Sequence, residues 1–237
     1  MNPSEGNPSE RGQGAGPSPA VLIFDVNETL SDMTPLGDRF AEIGADPGLA
    51  RTWFASLLRD GFALAVNGVN PSFAGLAAEQ LHLLLGSLDL NRHLDDAVSQ
   101  VLGGFAELRC HPDIAPGIRA LSGLGLRLIT LTNGATSVAQ RLLNDAGLVD
   151  AFELLVSAEQ AEFWKPDSRA YAYALSRCGV RAAEAMLVTV HPWDVDGARR
   201  AGLAAAWINR AGVEYPAYFL APSVAVESLV DLADRLS

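Results

Sequence analysis

Lysine is nearly missing from this sequence: 16 of the 17 basic residues are arginines, and the one lysine is Lys165. With arginine filling the ordinary cation positions, Lys165 draws attention as a place suited to a compact charge on a flexible stem rather than a planar fork. Cysteine is also scarce. Cys110 and Cys178 lie far apart without CxxC spacing, which argues against a disulfide scaffold or a cysteine zinc site. Two reduced thiols suit a cytoplasmic protein. Positive charge is in deficit, 17 basic against 28 acidic residues and a formal net charge of −11. That balance points away from nucleic acid or an anionic membrane surface as a partner. Long apolar runs are missing too: segments such as 20–24 fall far short of the roughly 18–20 residues of a membrane span, so no transmembrane segment is expected.

What is present is a chain of 237 residues, 49% hydrophobic, enough for one large domain or two small ones. Residues 1–18 are rich in Gly, Pro, Ser and Glu and contain no apolar run, which predicts a disordered tail without the apolar stretch of a secretory signal. Order is expected from 20–24, a wholly apolar run suited to a central parallel strand covered on both faces. Similar runs follow at 126–132, 185–190 and 203–208, with a shorter one at 152–156. Helical patterns lie between them at 137–146, where Val138, Leu142 and Leu143 share a face, and at 168–178 and 194–201. This alternation predicts an α/β fold with a parallel sheet.

Residues 33–112 differ, with helical periodicity and almost no strand signal. Leu94, Ala97, Val98, Val101, Leu102 and Phe105 form one stripe, Phe73, Leu76, Ala77, Leu81 and Leu84 a second, and Leu49, Trp53 and Leu57 a third. The expected organisation is a core of 19–32 plus 113–237, interrupted by an all-helical cap at 33–112. An insert directly after the first strand sits over the carboxyl ends of the parallel strands, where open α/β sheets bind ligands.

Each predicted strand ends in polar residues. The first ends Asp25-Val-Asn27-Glu-Thr29, and the second Thr132-Asn133-Gly134. The third leads to Trp164-Lys165-Pro166, and the fourth ends His191-Pro-Trp193-Asp194. Four separate regions thus converge on one sheet edge. An Asp directly after five apolar residues sits where burial demands a reason.

In this order, DxxxT, a Thr-Asn after an apolar strand, Lys-Pro and a terminal Asp, the sequence resembles the haloacid dehalogenase superfamily over nearly all of 20–237. Lys165-Pro-Asp-Ser-Arg-Ala-Tyr171, Trp193-Asp194 and Trp207-Ile-Asn-Arg210 resemble its type II 2-haloacid dehalogenases. The resemblance implies a Rossmann-like core under a helical cap, and Asp25 as a nucleophile attacking carbon. Lys165 would neutralise the pair Asp25/Asp194, and Asp194 would hold Lys165 and help position the hydrolytic water. Thr29, Thr132 and Asn133 are expected to donate to the substrate carboxylate or halide, and Tyr171 to stand near the nucleophile. The implied substrate is a small halogenated carboxylic acid, with no cofactor and no metal. Related enzymes are often dimers through the cap, so a homodimer is a possible assembly.

Asn27 separates this branch from the phosphatases of the superfamily. They carry an acidic Asp at that position, and an amide cannot exchange a proton near neutral pH. Thr189 likewise stands where they place a metal-ligating Asp, which weakens a Mg²⁺ site. A Mg²⁺-dependent phosphatase and a non-catalytic acid-binding descendant are the alternatives. Two positions depart from the dehalogenase pattern. His191 replaces an Asn, offering a general base or a halide donor. Phe54 follows Trp53 where the family carries an Arg that meets the halide, while Arg51, two positions before Trp53, points to another side of the helix. A halide cradle rebuilt from His191, Trp193 and Asn133 is one expectation; a substrate other than an ordinary 2-haloacid is the other.

Overall fold

The computed structural model describes residues 19–237; the tail expected at 1–18 lies outside the described residues. Six parallel strands form one sheet: β1 (Val21–Phe24), β2 (Arg127–Thr132), β3 (Leu154–Ser157), β4 (Ala185–Thr189), β5 (Ala204–Ile208) and β6 (Val224–Val226). Their order is β3-β2-β1-β4-β5-β6. The chain therefore builds outward from β1 in one direction through β3, then returns to pair β4 on the other side of β1. That reversal opens a crevice between the carboxyl ends of β1 and β4. The register sets Phe24 opposite Thr130 and Val188, so Asp25 leaves the sheet level with the ends of its neighbours.

The strands are buried on both faces because side chains alternate between them. Leu22, Phe24, Leu128 and Val188 pack with α5 (Ile114–Gly123), α6 (Thr136–Asp145) and α10 (Leu229–Leu236). Val21, Ile23, Leu131 and Leu187 pack with α8 (Ser168–Cys178) and α9 (Pro192–Arg200). The short helix α7 (Ala158–Ala161) follows β3. It opens with a capping box in which Ser157 accepts from Glu159 N. Strand β3 starts at Leu154, later than the sequence pattern implies, because Val149–Ala151 forms a 3₁₀ turn and Phe152 packs edge-on to Phe24.

Four helices, α1 (Leu36–Glu42), α2 (Leu49–Val66), α3 (Phe73–Leu85) and α4 (Leu94–Ala106), have a separate apolar cluster of Leu36, Phe40, Trp53, Leu57, Leu81 and Val101. The three stripes read from the sequence lie on α2, α3 and α4 and face this cluster. One residue from the far side of the sequence joins it. Trp164, fully buried, stacks on Phe73, donates Nε1–H to Pro71 O and lies against Gly61. None of the described helices is long and apolar enough to cross a membrane.

Candidate active site

Asp25 extends the ladder of β1 by one bond, its N–H donating to Val188 O at 3.0 Å. It is 4% exposed, so its charge must be answered within the protein. Three groups answer it. Lys165 Nζ donates to Oδ1 at 2.8 Å, Thr29 Oγ1 donates to Oδ2 at 2.6 Å, and His191 Nε2 lies 3.5 Å from Oδ2. Lys165 Nζ also donates to Asp194 Oδ2 at 2.6 Å, and Tyr171 OH donates to Asp194 Oδ1 at 2.6 Å. Lys165, Asp194 and Tyr171 are all fully buried.

This arrangement holds one cation between two anions. Burial pushes the Asp25 carboxyl up, but Lys165, His191 and the hydrogen bonds from Lys165 and Thr29 outweigh it and hold the group below the ordinary carboxylate range. Asp194 goes the other way. Burial raises it, and the neighbouring Asp25 charge adds to the rise against the pull of Lys165. Burial alone would lower Lys165, yet the two carboxylates raise it above its ordinary value, so it stays an ammonium.

The remaining polar residues build the frame. Asn133 binds the backbone of Lys165 twice, Oδ1 accepting from Lys165 N at 2.8 Å and Nδ2 donating to Lys165 O at 3.2 Å. Thr29 Oγ1 accepts from Val190 N at 3.1 Å, tying the loop after β1 to the end of β4. Thr132 Oγ1 accepts from Gly134 N at 3.0 Å. Thr29, Asn133 and Tyr171, expected from the sequence at or near the substrate, make their hydrogen bonds here to protein groups. The Thr29 and Tyr171 hydroxyls donate to the Asp25 and Asp194 carboxylates, and Asn133 keeps a second Nδ2–H beyond its bonds to Lys165. The reason is burial: at 1%, 4% and 0% exposure their hydrogen-bonding groups must pair with nearby protein.

Above this frame, Trp193 stacks on His191 with ring centroids 5.0 Å apart and meets Phe62 of α2 edge-on at 4.9 Å. Phe54, also on α2, lines a cleft of about 730 Å³ together with Glu28, Arg51, His191, Trp207 and Arg210. His191 is thus both a wall of the cleft and a neighbour of Asp25. Glu28 is the functional candidate that the sequence reading missed; its backbone has φ 61° and its Oε2 lies 3.7 Å from His191 Nδ1. Only its place between Asp25 and Thr29 hinted at it.

A divalent ion fits this site poorly. Mg²⁺ needs near-octahedral oxygen ligands, whereas the Lys165 ammonium fills the space between Asp25 and Asp194. Thr189 offers no carboxylate, and its hydroxyl oxygen already accepts from His191 N at 3.1 Å. Among the described residues no group of three His, Cys, Asp or Glu side chains is gathered to hold a metal.

Comparison with known proteins agrees with this chemistry. The family model described as haloacid dehalogenase-like hydrolase matches residues 19–202. The chain is 33% identical over 221 residues to the (S)-2-haloacid dehalogenase of Pseudomonas sp. (strain YL), covering 88% of this chain and 90% of that one. It is 26% identical over 218 residues to the (S)-2-haloacid dehalogenase of Pseudomonas putida, covering 91% and 95%. The solved L-2-haloacid dehalogenase from Xanthobacter autotrophicus with chloropropionic acid covalently bound matches it with a TM-score of 0.81 and 25% identity, over 91% of this chain and 97% of that one. Together with the buried carboxylate–ammonium–carboxylate arrangement, these matches show that the chain belongs to the haloacid dehalogenase-like hydrolases, in their type II 2-haloacid dehalogenase branch.

Proposed function

We propose that this protein hydrolyses the carbon–halogen bond of small 2-haloalkanoic acids to 2-hydroxy acids through an ester on Asp25. The observation that carries the proposal is Lys165 Nζ at 2.8 Å from Asp25 and 2.6 Å from Asp194, all three buried. A carboxylate desolvated in this way and held ionised by its neighbours is armed as a nucleophile. One Asp25 oxygen attacks the α-carbon, the carbon–halogen bond breaks, and the halide leaves with the electron pair. No proton is needed for that departure, which suits an amide at Asn27.

Water then adds to Cγ of Asp25. The bond between Cγ and the oxygen bound to product breaks, the alkoxide takes one proton from the water, and the other proton goes to solvent. Asp25 returns as a carboxylate carrying the water oxygen. A single displacement at carbon inverts its configuration. Asp194 positions Lys165 and the water, and Tyr171 holds Asp194. Thr132, whose hydroxyl oxygen already accepts from Gly134 N, donates its proton to the substrate carboxylate. Trp193, Phe54 and Phe62 supply an apolar wall for the halogen and alkyl group.

Single turnover of (S)-2-chloropropionate in H₂¹⁸O tests the route, with one label expected in Asp25 and chloride released without added metal. Label entering the hydroxy acid directly would remove the ester. Vigorous Mg²⁺-dependent hydrolysis of phosphate esters without halide release would favour the phosphatase instead.

A further inference from the structure

Glu28 occupies a backbone position that L side chains rarely adopt, with φ 61°. Its main chain is well tied: its N–H donates to Ser31 Oγ at 3.2 Å and its O accepts from His111 Nε2 at 3.1 Å. Its carboxylate has a single polar neighbour in contact among the described residues, His191 Nδ1 at 3.7 Å. The other ring nitrogen, Nε2, lies 3.1 Å from Asn27 O. A carbonyl only accepts, so Nε2 carries a proton. Asp25 Oδ2 lies 3.5 Å from the same nitrogen.

The other nitrogen then poses a problem with one solution. At 3.7 Å, Nδ1 and the Glu28 carboxylate are within ion-pair distance but beyond a direct hydrogen bond. A bare Nδ1 beside an ionised carboxylate would set two lone pairs against each other, so a proton belongs to the pair. It rests on Nδ1, making an imidazolium against a carboxylate, or on Glu28, making a neutral acid against a neutral ring. We propose that Glu28 and His191 form one proton-holding pair, through which His191 presents an N–H donor to the Asp25 oxygen that gains charge during ester hydrolysis. Partial burial holds the Glu28 carboxyl above its ordinary range despite His191 and Arg51 nearby, which agrees with a shared proton. The charged and titratable groups around the ring are Asp25, Glu28 and, beyond Glu28, Arg51 of α2.

This role rests on the ester reading above. When water adds to Cγ, negative charge gathers on the former carbonyl oxygen, and a fixed N–H donor there lowers the barrier. The pair donates hydrogen bonds and finishes the cycle with the protons it began with. Glu28 is accordingly a positioning residue acting through His191. It also gives a large acidic side chain a use at a position where glycine would be at ease.

Glu28→Gly is the informative variant, because glycine suits φ 61° and should leave the melting temperature unchanged or higher. Rapid-quench mixing with (S)-2-chloropropionate, followed by mass spectrometry of the Asp25 peptide, separates ester formation from ester hydrolysis. The expected result is ester formation near the wild-type rate and hydrolysis at least about tenfold slower, given that losing one such donor outright costs about 10²–10³. The ester then accumulates, and Glu28→Asp partly restores turnover. In ligand-free protein, ¹⁵N spectra of the His191 ring should show Nδ1 engaged with a proton in the wild type and bare in Glu28→Gly. Hydrolysis within twofold of wild type, equal slowing of both steps, or a bare Nδ1 in the wild type would overturn the pair. If the wild type forms no ester from any 2-haloacid, the functional reading fails, and the ring spectra still decide the pair.

Discussion

At the sheet edge, Asp25, Lys165 and Asp194 have side chains at most 5% exposed and share two ion pairs. On the cap side, Phe54 lines the cleft beside His191 and packs against Trp53, and Phe62 meets Trp193 edge-on. One wall is built of charge with its polar atoms answered, and the other of aromatic surface that keeps water away. The work is divided accordingly. Charges in low dielectric are strong but costly, so they sit on the rigid ends of parallel strands. The cap needs no charge to strengthen them; it needs only to cover them. The two walls are joined at consecutive residues, since Trp164 is buried in the cap cluster while Lys165 holds the carboxylates.

Breaking the charged wall should have the largest effect. Lys165→Met leaves two buried carboxylates without their cation, at about 3–5 kcal/mol of stability and about 10²–10³ in halide release. Urea denaturation and a halide electrode measure the two losses, and survival of either property within twofold would deny Lys165 its place. Opening the cap cluster behind the aromatic wall comes next. Trp164→Ala removes a fully buried ring and is expected to cost about 3–5 kcal/mol, with faster deuterium exchange across α3 than across β1 and β4. Equal loosening of cap and core would mean that the two are one cooperative unit. Thr29→Val is smaller, about 1–3 kcal/mol for the unanswered Val190 N–H and the lost donor to Asp25. Its signature is a lower kcat with little change in KM.

Much of this contrast was legible in the sequence. Wholly apolar runs ending in Asp25, Thr132 and His191 announce parallel strands with a polar edge, and the 3.6-residue stripes announce the cap. The strand β6 escaped because Val224–Val226 is three residues long and only Val226 is buried. Helix α1 escaped for a similar reason, with seven residues and two buried, Leu36 and Phe40. Within the site, residue identity was readable and partnership was not. Asn133 looks like a ligand group in sequence, yet Lys165, 32 positions away, takes its Oδ1 and one Nδ2–H. Glu28 carries no periodic signal because its meaning lies in a positive φ and in a histidine 163 residues later.

The finest test compares the two carboxylates on Lys165, which the fold pulls in opposite directions. Asp25 is held below 3.8, so its ionised form stabilises the native state. That contribution is complete above the unfolded value and is lost as pH falls through the lower, folded one. Asp194 is raised above 3.8, so the native state favours its proton. Its contribution is present below the unfolded value and is lost as pH rises from there through the folded one. Urea unfolding of Asp25→Asn and Asp194→Asn beside the wild type, at fixed ionic strength across the acid range, should therefore give slopes of opposite sign. The wild-type advantage over Asp25→Asn shrinks on acidification below about 3.8, and that over Asp194→Asn shrinks as pH climbs above it. Parallel slopes would mean that Lys165 serves both acids alike. Opposite slopes would mean that its charge is spent on the acid that must attack, leaving its partner to bear the cost of burial with only a phenol and half an ammonium for company.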